Sequence, residues 1–196
     1  MERPERKRKT RLGQLMRSAE DWEEAALDVI AAGGVGAVNV PALASTLGVT
    51  KGSFYWHFDG LPSLIAASLA RWEAADQELL DELARIDDPE ARLKAAFAQG
   101  AGPNRAHALY VTLGTSSDAT VLNMLRRVSR RRIRFLTRAF ADLGHSDADA
   151  RTHALLAYTA YLGMIHLERQ EVEGLRTKRE HEAYAAHAAQ TLIGGA

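Results

Sequence analysis

The sequence predicts an all-α protein of about nine helices, and three observations support this fold class. Apolar residues recur at spacings of three and four in the long segments, as they do along one face of a helix. Ser, Thr, Asn or Asp precedes several of these segments, and Gly or Pro follows several of them, as at helix ends. No segment shows the alternation of a strand, and no internal repeat is present.

Length and composition limit the possible classes of protein. A chain of 196 residues can bury a sizeable core in one domain or two small ones. Cysteine is absent, which excludes disulfides, thiolate metal sites and thiol-based redox sensing. The N-terminus has no apolar signal region, and the longest uncharged apolar stretch, at about 152–167, is shorter than a bilayer span. We therefore expect a cytoplasmic protein with no membrane partner.

Residues 1–17 form a basic arm with seven Lys or Arg residues against two Glu. The arm is interpreted either as a solvated tail or as a segment that follows the DNA backbone or enters the minor groove. Residues 18–70 contain one cation, Lys51, against six acids, so the arm would supply much of any attraction to DNA. Its central cations are Arg6, Lys7, Arg8, Lys9 and Arg11.

The first predicted helix begins at Ser18, which forms a capping-box pattern with Asp21, and ends at Gly33-Gly34. Two short helices should follow, one from Asn39 to Gly48 with Pro41 in its first turn, and one from Thr50 through Phe58. Apolar residues are placed to pack these two helices together, which is typical of a helix-turn-helix. They are Leu43, Ala44 and Leu47 on the first helix, and Phe54 and Phe58 on the second.

The outward positions of the second short helix carry side chains that suit phosphates and base edges. Gly52 has no obvious packing role there and would let the backbone approach DNA closely. The alternative is a helical hairpin with an aromatic core, but Trp, Tyr and His are poor choices for an idle surface. The outward residues are Lys51, Ser53, Tyr55, Trp56 and His57.

The segment Gly48–Phe58 resembles the signature of the tetracycline-repressor (TetR) family, and the resemblance extends over about residues 18–70. It includes Ala25-Ala26-Leu27, Gly34, Val40 and Leu43-Ala44 of the preceding helices. The resemblance implies that Tyr55 and His57 contact phosphates and that residues 50–56 contact base edges. The family often has a Lys a few residues after the His-Phe pair, where this chain has Leu61. The expected DNA-binding residues outside the arm are Asn39, Pro41, Thr50, Lys51, Gly52, Ser53, Tyr55, Trp56 and His57.

A long helix should begin at Pro62 and continue to about Ile86, and further helices are predicted at 89–99, 105–113, 118–143, 147–171 and 177–193. Ser146 with Asp149 forms a second capping-box pattern. Arg132 lies on the apolar stripe of its helix, where a charge needs either an ion-pair partner or an acidic ligand. The expected domains are the arm at 1–17, a helix-turn-helix domain at 18–62 and a regulatory and dimerisation domain at 63–196.

The predicted helix at 147–171 is apolar nearly all round, so it should face both its own domain and a second subunit. The family resemblance implies a homodimer through 147–171 and 177–193, an inverted-repeat DNA operator, and a small-molecule effector that releases a repressor from it. The effector would bind in the C-terminal domain and shift the long connecting helix. Candidate pocket residues are polar or soft groups on apolar helices: Trp72, His107, Tyr110, Thr112, Met124, Tyr158, Tyr161, Met164 and His166.

Two other classes of protein compete with a DNA-binding regulator. An enzyme is disfavoured because the chain has no Gly-rich nucleotide loop and no nucleophile elbow. His145, Asp147, Asp149 and His153 could be drawn as a metal site, but helix capping explains them better, so no metal or cofactor is expected. A helical adaptor that has lost DNA binding is the second rival, suggested by the acidic helix-turn-helix and Leu61. Electrophoretic mobility with promoter DNA would separate the adaptor from a regulator.

Overall fold

The computed structural model describes residues 17–100, 105–171 and 177–194, and its regular structure is helical throughout these ranges. The prediction of an all-α fold is therefore confirmed. The five arm cations, Arg6 to Arg11, lie outside the described residues. The helices are α1 Ala19–Gly33, α2 Val40–Leu47, α3 Lys51–Phe54, α4 Leu61–Ala84, α5 Pro89–Gln99, α6 Arg105–Gly114, α7 Ala119–Asp142, α8 Asp147–Arg169 and α9 Lys178–Ile193, with a 3-10 turn at Val35–Ala37.

The helix ends follow the capping residues closely. The Ser18 hydroxyl accepts from the Asp21 N–H at 3.2 Å, and the Asp21 carboxylate accepts from the Ser18 N–H at 2.8 Å, so the predicted capping box of α1 is present. At α8 the Ser146 hydroxyl accepts from the Asp149 N–H at 3.2 Å, but the Asp149 carboxylate takes the Ser146 hydroxyl at 2.7 Å instead of the backbone N–H. The second predicted box is therefore only half formed.

Helix α3 is shorter than predicted. The sequence indicated a helix from Thr50 through Phe58, whereas the α-helical hydrogen-bond pattern ends at Phe54 and a turn follows. The N–H of Trp56 donates to the carbonyl of Ser53 at 3.3 Å, and the N–H of His57 donates to that of Phe54 at 3.0 Å. Such three-residue bonds tighten the end of a helix, while the Phe58 N–H still donates to the Phe54 carbonyl at 3.0 Å.

The chain forms two compact units, with the boundary after Trp72. In the first unit, α1, α2, α3 and the start of α4 surround an aromatic core. The rings of Trp22 and Phe54 meet edge to face at 5.4 Å, and those of Phe54 and Phe58 stack at 5.6 Å. Each large apolar side chain buried in this way contributes roughly 1.5–3 kcal/mol to stability. The fully buried large side chains of this unit are Trp22, Leu27, Ile30, Leu43, Phe54 and Leu64.

The second unit is built around α7 and α8, which pack along each other, with α5 and α9 against them. Small alanines on α8 let the neighbouring helices approach closely around Phe140 of α7, which is fully buried. Helix α4 begins in the first unit and ends in the second. Among the described residues, no helix has the length and apolar character needed to cross a bilayer. The core of the second unit contains Leu93, Ala139, Phe140, Ala150, Ala154, Ala157, Ala189 and Ile193.

Candidate nucleic-acid interface and effector pocket

The helix-turn-helix is formed by α2, a short turn and α3. Asn39 caps α2 by accepting the Ala42 N–H at 3.1 Å, and Pro41 lies in the first turn. Gly48 ends α2 with φ of 70°, a left-handed conformation that L-residues with a Cβ rarely adopt. Thr50 precedes α3 in an extended conformation, and its side chain makes no capping hydrogen bond there.

Most of the residues expected to touch DNA are exposed. Tyr55 is 57% exposed and Trp56 is 76% exposed, whereas Phe54 between α2 and α1 is buried. Lys51 and Gly52 are also exposed, and Ser53 and His57 are half-buried. Since Phe54 and Phe58 bury the other side of the segment, the tyrosine and indole groups are presented to solvent. The surface thus offers a cation, hydroxyls, an indole N–H and an imidazole to a partner.

Gly52 has space around it. A Cβ at this position would find only the Thr50 hydroxyl nearby, at 3.7 Å, so packing does not require a glycine. The residue is exposed beside Lys51 at the start of α3. A missing side chain at this point leaves the backbone open to close approach by a ligand.

The acids of α1 are largely held by Arg71 of α4. The Arg71 guanidinium donates to Glu23 at 2.5 Å and lies 3.3 Å from Glu20 and 3.9 Å from Glu24. Arg71 gathers three of these acids within the first unit. Their negative potential is therefore partly neutralised by Arg71.

A cavity of about 310 Å³ lies in the second unit, with walls from α4, α5, α6, α7, α8 and α9. Most of its lining is apolar, including Leu80 and Leu83 of α4 and Phe135 of α7. Gly100 at the end of α5 approaches the Tyr161 ring closely, since a Cβ there would lie 3.1 Å from ring carbon Cδ2. The polar side chains of the lining are Gln99, His107, Arg132, Tyr158, Tyr161 and Tyr184.

Four of the nine residues predicted for the pocket line this cavity: His107, Tyr158, Tyr161 and Met164. The other five lie outside its lining. Trp72, Tyr110 and Met124 are buried. Thr112 accepts a hydrogen bond from Arg169 at 2.5 Å, and His166 is exposed on α8 beside Gln170, with 2.9 Å between their side-chain nitrogens.

Arg132 lies in the cavity wall and is bound to Asp76 of α4. Its Nε and Nη2 both lie 2.6 Å from the same carboxylate oxygen, Oδ1. The ion pair expected for this residue from its place on the apolar stripe is therefore present. The guanidinium carbon also lies 5.1 Å from the ring centre of Tyr110 and 5.5 Å from that of Tyr161, within the range of cation–π contacts.

Burial changes the acid–base behaviour of the cavity wall. It raises the pKa of Tyr161 to about 12, against the opposing effect of Arg132, so its hydroxyl stays protonated at neutral pH. Burial also lowers the pKa of His107, and the neighbouring Glu168 carboxylate offsets this only in part. Glu168 lies 3.3 Å from His107 Nδ1 and 3.5 Å from Nε2 of the fully buried His181. His107 is therefore mainly neutral at pH 7.

The two histidines of the possible metal site, His145 and His153, make ring contacts with each other and with Phe140. The ring centres of the two histidines lie 4.5 Å apart. His153 Nδ1 lies 2.8 Å from the carbonyl oxygen of Asp149, a normal contact within a helix. Within the described ranges, no group of three or more His, Asp or Glu side chains has an arrangement that could hold a metal ion.

Sequence reasoning missed several residues of the cavity. Leu80, Leu83, Phe97 and Phe135 form much of its wall, but their spacing is that of any core-facing helix residue. A pattern of apolar positions does not distinguish a filled core from a cavity. Arg132 gave a further signal of the cavity, because a charge on an apolar stripe marks a polar feature inside the domain.

Comparisons with known proteins fit this architecture. Residues 24–67 match the model of the tetR family of bacterial regulatory proteins. A search of curated proteins finds no match to the chain. A transcriptional regulator from Rhodococcus sp. Rha1 has a similar structure, with a TM-score of 0.71, 22% identity, and coverage of 91% of this chain and 95% of that chain.

Two further structures share the fold. FadR from Bacillus subtilis, solved in complex with stearoyl-CoA, gives a TM-score of 0.68 at 14% identity and covers 91% of this chain and 100% of its own. SmeT, the repressor of the Stenotrophomonas maltophilia efflux pump SmeDEF, gives 0.67 at 19% identity, with 93% and 91% covered. The family match includes the helix-turn-helix and favours a regulator over an adaptor that has lost DNA binding. Residues 24–67, which include the helix-turn-helix, are therefore similar to the N-terminal domain of the tetR family of bacterial regulatory proteins.

Proposed function

We propose that this protein is a repressor that binds an inverted-repeat operator as a homodimer and leaves it when a small molecule fills the cavity of the second unit. The exposed Tyr55–Trp56 surface on the family's DNA-binding domain is the observation that carries the proposal. Aromatic side chains with polar tips are seldom left this exposed unless a partner covers them. Two similar structures support the remaining steps, since SmeT is a repressor and FadR was solved with a bound acyl-CoA.

On DNA, Tyr55 and His57 would contact phosphates, and Thr50 to Trp56 would reach base edges. The half-buried state of His57 and the exposure of Tyr55 support a phosphate role, because both present polar atoms beside a fixed aromatic core. Asn39 and Pro41 are exposed at the start of α2 and would meet the backbone there. The cations of the arm, from Arg6 to Arg11, would add attraction to the DNA backbone.

The dimer would form through α8 and α9. Leu155, Leu156 and Leu167 of α8 are 39%, 52% and 39% exposed, and Tyr184 of α9 is 37% exposed. Gly163 lies on the same helix, with no atom within 4 Å of the place a Cβ would occupy, so a second helix could approach closely. Exposed leucines on one pair of helices are typical of an oligomer interface.

The effector step would use the cavity, whose volume of about 310 Å³ is at the lower end of ligand pockets, roughly 300–1,000 Å³. Its wall includes Leu79, Leu80 and Leu83 of α4, the helix that begins in the DNA-binding unit. A ligand changes DNA affinity only if it prefers one of two conformations. Contact with α4 gives a ligand direct access to the helix that connects the two units.

Selection of genomic fragments with the purified protein, beginning with the DNA upstream of its own gene, tests this function. We expect enrichment of an inverted repeat, and a footprint on both halves of it. Loss of that footprint on adding an extract or compound from the host would identify the effector. Failure to enrich any sequence at low salt would contradict the proposed function.

A further inference from the structure

Three arginines of α7 face two acids of α4. Glu73 binds Arg127 at 2.7 Å and lies 3.6 Å from Arg131. Asp76 binds Arg132 at 2.6 Å and lies 3.7 Å from Arg131. Three guanidinium groups therefore share two carboxylates, which gives a net charge of +1.

One of these three guanidinium groups, that of Arg132, reaches the cavity. Arg132 is the only Lys, Arg, Asp or Glu among the described residues that line it. Its side chain is 18% exposed, and that of Asp76 is 2% exposed, so water compensates little of the charge. A charge in such surroundings is costly, and because Asp76 compensates Arg132 from one side only, an anion on its cavity side would add to that compensation.

The geometry of Arg132 leaves donors for such an anion. Asp76 is held by Nε and Nη2, both at the same oxygen, so Nη1 lies outside that ion pair, and the guanidinium also hydrogen-bonds the Tyr161 side chain. A guanidinium has five N–H donors in a planar fork, which suits a carboxylate. Arg132 can therefore hold Asp76 on one side and a second carboxylate on another.

The aromatic lining does not favour a cation. Two of the tyrosines nearest the charge, Tyr110 and Tyr161, already face the Arg132 guanidinium, at 5.1 Å and 5.5 Å from their ring centres. A cationic ligand would have to compete for the Tyr161 ring and would be repelled by Arg132. The remaining lining, with Phe97, Phe135 and three leucines of α4, favours an apolar body.

We propose that the cavity binds a small apolar acid, with its carboxylate on Arg132 and its apolar body against the leucines and phenylalanines of the wall. This inference rests on the proposed function and names the chemical class of its effector. The bound carboxylate shares Arg132 with Asp76 and so draws part of the guanidinium's attraction away from Asp76. Because Asp76 lies on α4, binding of the acid weakens the attachment of that helix to α7.

Calorimetric titration of the full-length protein at neutral pH tests the ligand class with probes of matched shape. The probes are octanoate, 1-octanol and octylammonium, with 4-phenylbutanoate and its alcohol as an aromatic pair. We expect each acid to bind roughly 10- to 100-fold more tightly than its alcohol, the gain of a hydrogen bond to a charged group. Equal affinities within a pair, a preference for octylammonium, or no binding of either acid up to about millimolar concentration would overturn the proposal.

A double variant, Asp76→Asn with Arg132→Gln, removes both charges and leaves neither buried alone. We expect it to bind the alcohol as before and to lose the preference for the acid, whereas Arg126→Gln on the exposed side of α7 retains it. Preference for the acid in the double variant would contradict the role of Arg132. Should the double variant not fold, a crystal structure of the wild-type protein with octanoate decides: a carboxylate on Arg132 supports the proposal, and one turned to solvent refutes it.

The two proposals can fail separately. Enrichment of an inverted repeat together with no binding of acids would refute the ligand class and leave the regulator intact. Binding of acids through Arg132 without any DNA selection would refute the proposed function alone. Release of the selected DNA by octanoate in the wild-type protein, but not in the double variant, would support both.

Discussion

Trp56 exposes 76% of its surface, although the neighbouring Phe54 is fully buried in the same turn. An indole left in water forgoes burial worth roughly 1.5–3 kcal/mol, so the fold itself gains little from this residue. Phe54, in contrast, contacts Trp22 and Phe58 in the core. Phe54 thus stabilises the fold, whereas Trp56 is available to bind a partner.

Trp56→Ala should weaken operator binding by about tenfold or more, because it removes the largest exposed group of the candidate DNA surface. The free energy of unfolding should change by no more than about 0.5 kcal/mol, as for other exposed residues. Fluorescence anisotropy with operator DNA and urea unfolding measure the two quantities. Phe54→Ala serves as the contrast, with an expected stability loss of about 3–5 kcal/mol. A large stability loss in Trp56→Ala would contradict the separation of roles.

His107 predicts a pH dependence of stability. Burial lowers its pKa below the ordinary value of 6.5, so in that range the folded state binds fewer protons at this site than the unfolded chain. Stability should therefore fall as the pH drops through 6.5 and toward the lowered pKa. Glu168, His181 and Arg132 are the charged or titratable groups that act on it.

His107→Gln should flatten this decline in urea unfolding measured from pH 7.5 to 5.5, because it removes the buried titrating group. His166→Gln, an exposed substitution of the same type on α8, should leave the slope as it is. An unchanged slope in His107→Gln would show that the acid sensitivity arises elsewhere.

At the scale of single elements, the turn between α2 and α3 depends on one glycine and not on the other. Gly48 has φ of 70°, so a side chain there costs about 1–2 kcal/mol. Gly52 has an ordinary φ and room for a Cβ. We expect Gly48→Ala to lower the free energy of unfolding by that amount and Gly52→Ala to leave it nearly unchanged. Chemical denaturation measures both variants.

The same pair separates folding from recognition. Gly52→Ala should weaken DNA binding if the backbone of α3 approaches a phosphate closely, because a Cβ would then occupy that space. Operator affinity equal to that of the wild type would show that Gly52 is not a contact point.

Of the two acids of α4 that pair with α7, we expect Asp76 to contribute more to stability than Glu73. The Asp76 carboxylate is 2% exposed and faces Arg132, whereas Glu73 is 20% exposed and pairs with the exposed Arg127. Asp76→Ala leaves a guanidinium without its partner and should cost about 3–5 kcal/mol of stability. Glu73→Ala, at a more exposed pair on the same two helices, should cost about 1 kcal/mol or less. Equal losses in urea unfolding would contradict this ranking.

Elements with strong local signals were predicted well. The bounds of α5 agree with the prediction because Asp88 and Pro89 define its first turn, and its Asp88 carboxylate caps the Glu90 and Ala91 N–H groups. The end of α3 was placed too late, because Phe54 and Phe58 have helical spacing in either an α-helix or a tightened turn. Local sequence patterns indicate which residues are buried, but they do not specify which backbone hydrogen bonds form at the end of a helix.

At the scale of the whole molecule, the dimer proposal makes a clear prediction. Leu156→Glu places a charge on the most exposed leucine of α8 and should yield a monomer, which loses operator affinity because only one half-site is held. Sedimentation velocity and anisotropy measure the two effects. Ala119→Glu, which adds the same charge at the exposed start of α7, should remain a dimer. A dimer of Leu156→Glu would place the interface elsewhere.

The DNA-binding unit could be foreseen from the sequence more fully than the cavity. Tyr55, Trp56 and Gly48 belong to a continuous motif, so their neighbours along the chain are also their neighbours in space. The cavity collects residues from six helices that are distant in sequence, such as Leu80, Phe97 and Tyr184. Their proximity results from how the helices pack, which no local pattern specifies.

The charge of the DNA-binding unit affects how many copies a cell would need. Residues 18–70 contain one lysine and six acids, so beyond the basic arm at 1–17 this unit offers random DNA little attraction. Most molecules of a typical regulator are bound to non-specific sites, which vastly outnumber the operator in a genome. A regulator that such sites hold weakly keeps a larger share of its molecules free to search. A small number of copies would then suffice to keep one operator occupied.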